Sequence, residues 1–311
     1  MTRHLIIPGL AKAGTTFLHD NLIRNGAAFN KPKVKELNFF SRRAAPPYEK
    51  YCNLFPDSAP DRYFLDCSPI YLETRNPVVD HISQCLKGHD VRFIVTLRNP
   101  VDTVISHYYH DLKSNIARFR RLPEHTSFSF WDPKVVAKYF ISRFARVKRL
   151  KQMGYSVLGV HQNDLFEPDA AQKIGAFLEI DLQPFRTGKV SNPGGWLPYF
   201  VYGGKNGAST PFKGTLYKVP PRALILVSNS RSEILFNAGA ELAQHAFALQ
   251  ASFTRRITVA RSFFDPAVNE YYAMCKTLGL PPEDLNLRRT VNYIPKAPTI
   301  DETIAKQLER L

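Results

Sequence analysis

Along the first 180 residues the chain alternates between two hydrophobic periods. Short apolar runs, Arg3-His4-Leu5-Ile6-Ile7, Tyr63-Phe64-Leu65, residues 91–97 and residues 155–160, have the length and bulk of buried strands. Between them apolar residues recur at helical spacing. Residues 15–25 predict a helix with Leu18 and Leu22 four apart and Gly26 as its stop. Residues 77–86 predict a second, ended by Gly88, and Pro100 suits the first turn of a third that reaches to about Lys113. Residues 134–153 predict a long amphipathic helix with Val136, Phe140, Phe144 and Val147 on one stripe and Lys138, Arg146 and Arg149 off it. Residues 169–178 predict another. Strands alternating with helices imply an α/β domain built on a central, mainly parallel sheet flanked by helices.

After Asp181 the pattern changes. Residues 182–222 contain Asn192-Pro193-Gly194-Gly195 and Tyr202-Gly203-Gly204-Lys205-Asn206-Gly207 and read as a long loop region. Residues 222–280 read as mostly helical, and the Pro-bearing last thirty as ending in a helix from Ile300. The expected organisation is one domain over 1–311, with a nucleotide-binding α/β core at 1–181 and a loop-rich and helical C-terminal extension at 182–311.

No run approaches the roughly 18 apolar residues of a membrane span. Leu5-Ile6-Ile7, cut off by Pro8-Gly9, is too short for a signal-peptide core. Cys52, Cys67, Cys85 and Cys275 form no close pair and no metal-ligand spacing, which fits a reducing compartment. A cytoplasmic protein without a transmembrane segment is expected, with peripheral membrane contact left open. The net charge of +15 is placed unevenly: residues 1–155 hold 25 Lys/Arg against 13 Asp/Glu. Such a field favours anionic partners, among them nucleotides, glycans, nucleic acids and lipid headgroups, without choosing between them.

The turn after the first strand narrows the choice. In Pro8-Gly9-Leu10-Ala11-Lys12-Ala13-Gly14-Thr15-Thr16, Gly9 and Gly14 have the spacing of a phosphate loop, whose backbone N–H groups meet an anion where the helix dipole begins. The lysine of an ATP-binding loop should follow the second glycine. Here Thr15 holds that place and Lys12 lies inside the loop. Lys12-Ala13-Gly14-Thr15-Thr16 resembles the 5′-phosphosulfate loop of sulfotransferases that use 3′-phosphoadenosine 5′-phosphosulfate (PAPS).

Three further segments follow in the order that resemblance implies. Arg98-Asn99-Pro100 with Ser106, after the strongest strand, resembles the 3′-phosphate segment, in which an Arg and a Ser eight residues later grip the phosphate. Lys35-Glu36-Leu37-Asn38-Phe39-Phe40 resembles the Lys-Glu-x-His-Phe-Phe segment of heparan-sulfate and related carbohydrate sulfotransferases, whose Glu is the proposed base. Asn38 stands where many members have His. Leu65-Asp66-Cys67-Ser68-Pro69-Ile70-Tyr71 is similar to the family's Lys-Thr-Pro-x-Tyr segment, with Cys67 in place of lysine. Gln162-Asn163-Asp164-Leu165 and Lys189-Val190-Ser191-Asn192 are weaker echoes.

The resemblance implies a P-loop-like three-layer fold and transfer of a sulfuryl group from PAPS to a hydroxyl or amine. On it, Lys12 and Glu36 are the catalytic candidates. Lys12, Ala13, Gly14, Thr15, Thr16, Arg98, Ser106 and, from a later basic loop, Lys205 hold the nucleotide. Lys35, Asn38, Ser68 and Tyr71 face the acceptor. The acceptor class leans toward a glycan or glycolipid, although Trp196-Leu197-Pro198-Tyr199-Phe200 would also suit an apolar molecule. No metal is expected, because the transferred group carries less charge than a γ-phosphoryl and the strongest strand ends in Arg98 rather than an acidic metal holder. A nucleoside-triphosphate-dependent kinase and a non-catalytic nucleic-acid-binding protein are the competing readings. The displaced lysine weighs against the first. The second explains the charge but not the paired motifs at strand ends.

Overall fold

The computed structural model describes residues 1–74, 77–104, 106–107, 134–187, 264–283 and 285, together with the backbone of Pro133 and of further strands between 199 and 292. Chain contacts divide it into two units.

The first unit holds a five-stranded sheet in the order β2-β3-β1-β4-β5, formed by β1 (Arg3–Ile7), β2 (Phe29–Asn30), β3 (Tyr63–Cys67), β4 (Asp90–Leu97) and β5 (Ser156–His161). Every pairing is parallel, with Leu5 beside Leu65 on one side and Arg92 on the other. The helices are α1 (Thr15–Arg24), α2 (Tyr48–Cys52), α3 (Val78–Cys85), α4 (Pro133–Gln152), α5 (Ala170–Leu178) and α6 (Asp265–Leu278). Expected and observed bounds agree within one or two residues for all the elements read from the first 180 residues that the structure describes whole. Residues 100–104 and 106–107 are helical, and the remainder of that expected helix lies outside the described residues.

Alternation along the strands builds two cores. Leu5, Ile7, Leu65, Cys67 and Ile94 face Phe17, Leu18 and Leu22 of α1 and Ile174 and Leu178 of α5. Ile6, Phe64 and Phe93 face Phe39, Phe40, Tyr51, Tyr71, Ile82 and Leu150. The predicted stripe of α4 is buried at Val136, Phe140, Phe144 and Val147. On that helix Arg146 donates to the carbonyls of Leu72 (2.9 Å) and Thr74, and Arg143 lies 3.6 Å from Glu73, which pins the chain leaving β3. Helix α6 closes on β5 at Gly159, where a Cβ would come within 2.8 Å of Leu278. Among the described residues no helix is long and apolar enough to cross a membrane.

The second unit contains a three-stranded antiparallel sheet, β10-β9-β6, from β6 (Tyr199–Tyr202), β9 (Leu224–Ser228) and β10 (Glu233–Ala238). It also has a hairpin of β7 (Ala208–Phe212) with β8 (Thr215–Val219), and a pair of β11 (Arg256–Val259) with β12 (Arg289–Asn292). These strands correct two expectations. The loop region at 182–222 carries β6, β7 and β8, and the helical reading of 222–280 holds for α6 alone among the described elements. Leu-Ile-Leu-Val at 224–227, bounded by Ser-Asn-Ser-Arg-Ser at 228–232, has the length of a strand, and periodicity cannot separate so short an apolar run from a helix. The expected helix from Ile300 lies outside the described residues.

One buried group at the amino ends of the strands sets a pH dependence. His4 is fully buried, and its Nε2 lies 2.9 Å from the Thr2 hydroxyl, which also meets Tyr48 (2.8 Å) and His89 (2.7 Å). Burial, reinforced by His89, lowers the His4 pKa to about 3. The unfolded chain therefore binds a proton between about pH 6.5 and 3 that the folded chain refuses, and stability falls as pH drops through that window. From pH 7 to 4.5 the loss is about 2–3 kcal/mol, at about 1.4 kcal/mol per pK unit. Asp66, raised to about 6, acts in the opposite sense over the same range. The His4 contribution is accordingly read as a difference. The stability gap between wild type and His4→Phe in urea unfolding should shift by about 2–3 kcal/mol in the variant's favour on acidification. A gap independent of pH would show that His4 is not held neutral.

Candidate active site

The loops after β1, β3 and β4 leave neighbouring parallel strands at their carboxyl ends, the place where open α/β sheets bind ligands. The first is tied into the sheet by its own backbone. Leu10 N–H donates to Thr96 O (2.9 Å), Thr96 N–H to Gly9 O (3.1 Å), and Leu72 N–H to Pro8 O (3.3 Å). Gly14 is the N-cap of α1 with φ +85°, and no side chain caps that end of the helix. A Cβ on Gly14 would sit 2.9 Å from Leu165 and 3.2 Å from Gln162, so glycine is required by both conformation and space. This gives the Gln162-to-Leu165 segment a definite place as the floor beneath the loop. Ala13 and Thr15 are buried, whereas Lys12 and Thr16 are partly exposed.

Lys12 has φ +66°, a strained setting for a side-chain-bearing residue, and its carbonyl accepts a hydrogen bond from Arg98 Nη1 at 3.1 Å. The structure thus joins two motifs separated by 86 residues. Arg98 is placed in turn by the helix that begins beside it. Asn99 Oδ1 accepts from the Asp102 N–H (2.8 Å), Asn99 Nδ2 donates to Asp102 Oδ2 (2.8 Å), and Thr103 Oγ1 donates to the Arg98 carbonyl (3.3 Å). Asn99 thus caps the helix that begins at Pro100, and its side-chain amide is held in turn by Asp102. Ser106 is partly exposed in the helical stretch that follows. Lys205 lies outside the described residues, as do residues 189–192 of the last echo and the side chains around Trp196.

The segment between β2 and α2 carries the carboxylate. Glu36 is exposed and pairs with its neighbour Lys35 at 2.7 Å, with the two side chains 49% and 24% exposed. A pair so open to water is worth about 0–1 kcal/mol and is readily exchanged for another partner. Both Glu36 (φ +63°) and Asn38 (φ +52°) are left-handed. Asn tolerates that conformation better than most residues, which accounts for it locally where a His is common. Phe39 and Phe40, fully buried against Tyr51 and Tyr71, anchor the segment.

The chain leaving β3 departs most from expectation. Ser68 and Tyr71 are buried, and their hydroxyls turn inward: Ser68 Oγ donates to Asp66 Oδ1 (2.6 Å) and Tyr71 OH to Asp66 Oδ2 (2.7 Å). Each hydroxyl also accepts from the backbone of the Glu36 segment, Ser68 from Asn38 N–H (3.0 Å) and Tyr71 from Phe39 N–H (3.0 Å). Asp66 was not singled out from the sequence, although a lone acid in Tyr-Phe-Leu-Asp-Cys is a signal of a polar network. Burial wins over both hydroxyl bonds and raises its pKa to about 6, which leaves it mostly ionised at neutral pH. Cys67, on the opposite face, packs its thiol 3.5 Å from the Thr15 carbonyl. Burial pushes that thiol up to about 12, with Lys35, Asp66 and Glu36 as the nearby charges that also act on it. The segment that carries Lys35 and Glu36 is tied to this end of the sheet through Ser68, whose hydroxyl takes the Asn38 N–H and whose own N–H donates to the Ile7 carbonyl at the end of β1 (3.1 Å).

The site thus offers an uncapped helix start, a lysine inside the loop leading to it, an arginine locked to that lysine's carbonyl, and an open carboxylate nearby. Such an arrangement can hold an anion at the helix start and accept a proton at the carboxylate. A family model described as the sulfotransferase domain matches residues 2–192. Among solved structures the chain is similar to that of a sulfotransferase from Alicyclobacillus acidocaldarius. The identity is 24% and the TM-score 0.45, with 62% of this chain and 87% of that one covered. No curated protein matches the chain.

Proposed function

The chain belongs to the sulfotransferase family, and from that premise we propose that it transfers a sulfuryl group from PAPS to a hydroxyl or amine of a glycan or glycolipid acceptor. The observation that carries the nucleotide side of this reading is the bond from Arg98 to the Lys12 carbonyl, which unites the two phosphate motifs at the start of α1. The start of α1 carries no side-chain cap and Arg98 stands beside the loop that leads to it, so the residues present fit an anionic donor. When bound, PAPS supplies the activated sulfuryl group. The protein's part is binding, orientation and proton removal.

In this reading the N–H groups of Gly14, Thr15 and Thr16, with the threonine hydroxyls, hold the 5′-phosphate, while Ala13, whose N–H donates to the Leu10 carbonyl (3.3 Å), shapes the loop. Arg98 forks onto the 3′-phosphate and Ser106 donates a hydroxyl to it. Lys12 neutralises the charge that builds on the departing phosphate. Glu36 exchanges Lys35 for the acceptor and takes its proton, while Lys35, partly exposed, and Asn38, exposed, meet the acceptor itself. The resemblance also assigns Lys205 to the nucleotide. The glycan leaning rests on the Lys-Glu-x-x-Phe-Phe pattern and on the basic first half of the chain, and a cytoplasmic location is proposed with it.

Calorimetry with 3′-phosphoadenosine 5′-phosphate, the desulfated product, tests this directly. Micromolar binding is expected, indifferent to magnesium. Arg98→Ala should weaken it about tenfold to a hundredfold, the range for one lost charge-assisted contact of about 1.5–3 kcal/mol. Unchanged affinity in that variant would remove Arg98 from the 3′-phosphate. Tighter, magnesium-dependent binding of ATP would instead assign the loop to phosphoryl transfer.

A further inference from the structure

We infer that Asp66 is the positioning residue of this site, holding the Glu36 segment in its working geometry through the hydroxyls of Ser68 and Tyr71. The inference rests on the reading of Glu36 as base, and it concerns a residue that neither the family resemblance nor the phosphate motifs bring forward.

Asp66 is the only charged residue of β3, has no exposed surface, and gives one carboxylate oxygen to each hydroxyl. Both hydroxyls are used in two directions. Ser68 takes the N–H of Asn38, and Tyr71 takes that of Phe39 at 3.0 Å and that of Phe40 at 3.4 Å. Three consecutive backbone donors, beginning two residues after Glu36, are thus routed through two hydroxyls onto one carboxylate. A carboxylate can only accept, so it turns both hydroxyl hydrogens toward itself and leaves their lone pairs facing the three N–H groups. An amide in its place would present N–H to one hydroxyl and reverse it, and an apolar residue would leave both undirected.

The segment needs such a hold. Glu36 and Asn38 are both left-handed, a setting that persists only where the surroundings over-determine it. The burial of Phe39 and Phe40 fixes the depth of the segment, while the three N–H bonds fix its orientation along the chain that carries Glu36. Ser68 and Tyr71, expected from the sequence to face the acceptor, act in this account from behind the Glu36 segment. Acceptor contact then falls to the exposed residues in front of it.

The test compares wild type with Asp66→Ala, Asp66→Asn and Ser68→Ala. Three readouts are used: binding of 3′-phosphoadenosine 5′-phosphate, conversion of PAPS to that product with a panel of oligosaccharide acceptors, and the rate of tryptic nicking after Lys33 and Lys35. Asp66→Ala should nick faster and turn over about tenfold more slowly, with nucleotide affinity unchanged. Asp66→Asn, which keeps one acceptor, should fall between it and wild type. Ser68→Ala removes a single buried oxygen and reports the same direction if Asp66→Ala does not fold. Unchanged nicking and turnover in all three variants would overturn the inference. So would a fall in turnover that tracks loss of nucleotide affinity, since that marks a general weakening of the sheet end. Wild type that binds no 3′-phosphoadenosine 5′-phosphate would overturn the sulfuryl-transfer reading first, an outcome distinct from either.

Discussion

Replacing Lys12 by alanine is expected to lower the turnover number about a hundredfold or more, with binding of 3′-phosphoadenosine 5′-phosphate changed far less. When the sulfuryl group leaves, the bridging oxygen gains charge that the ground state does not carry. A cation aimed at that oxygen therefore acts mainly on the rate. Lys12 is suited to this by its place inside the loop, between the β1 strand end and Gly14. Its backbone is held by the Arg98 bond to its carbonyl, and alanine leaves that bond intact. The measurement is the rate of PAPS conversion at saturating donor, followed chromatographically, beside the affinity for the product. A rate within threefold of wild type would move leaving-group stabilisation to another cation, with Arg98 the first to be examined.

Glu36→Gln should cost about a hundredfold or more in turnover through loss of the proton acceptor. The amide keeps the size of the side chain and can still accept from Lys35, so the loop should stay where it is. The donor's affinity should be unaffected. If the variant retains near-normal rates over a pH series, the acceptor loses its proton elsewhere and Glu36 serves binding alone. The contrast with Asp66→Ala is informative. Glu36→Gln should leave tryptic nicking after Lys33 unchanged, whereas loss of Asp66 should accelerate it.

Much of this protein is set by short-range physics and was legible at once. The strand, glycine turn and helix at residues 3–25 follow from a buried β-branched and aliphatic run, two glycines and an i, i+4 leucine pair. Arg98-Asn99-Pro100 marks a strand end and a helix start because Asn at the N-cap and Pro at the first helical position have local reasons to be there. Such features involve residues within a turn of each other, so the chain alone determines them.

Other features were decided only by folding. The Asp66 network joins residues about thirty positions apart, and nothing in Leu65-Asp66-Cys67-Ser68 says that the serine hydroxyl turns inward while the cysteine meets α1. Strand alternation fixes that two neighbours point apart, but which face holds α1 and which holds Phe39 and Phe40 depends on the whole layer arrangement. The place of Gln162 and Leu165 beneath Gly14 likewise appears only when β5 is laid beside β4. In the C-terminal part, short apolar runs carried too little periodicity to tell strand from helix, and β9 and β10 became strands by pairing with each other, β9 also with β6. The sequence by itself determined the periodic elements of the first 180 residues and the chemistry available at their ends. The tertiary structure decided which of those groups meet, because burial and hydrogen-bond pairing act between segments that the chain order keeps apart.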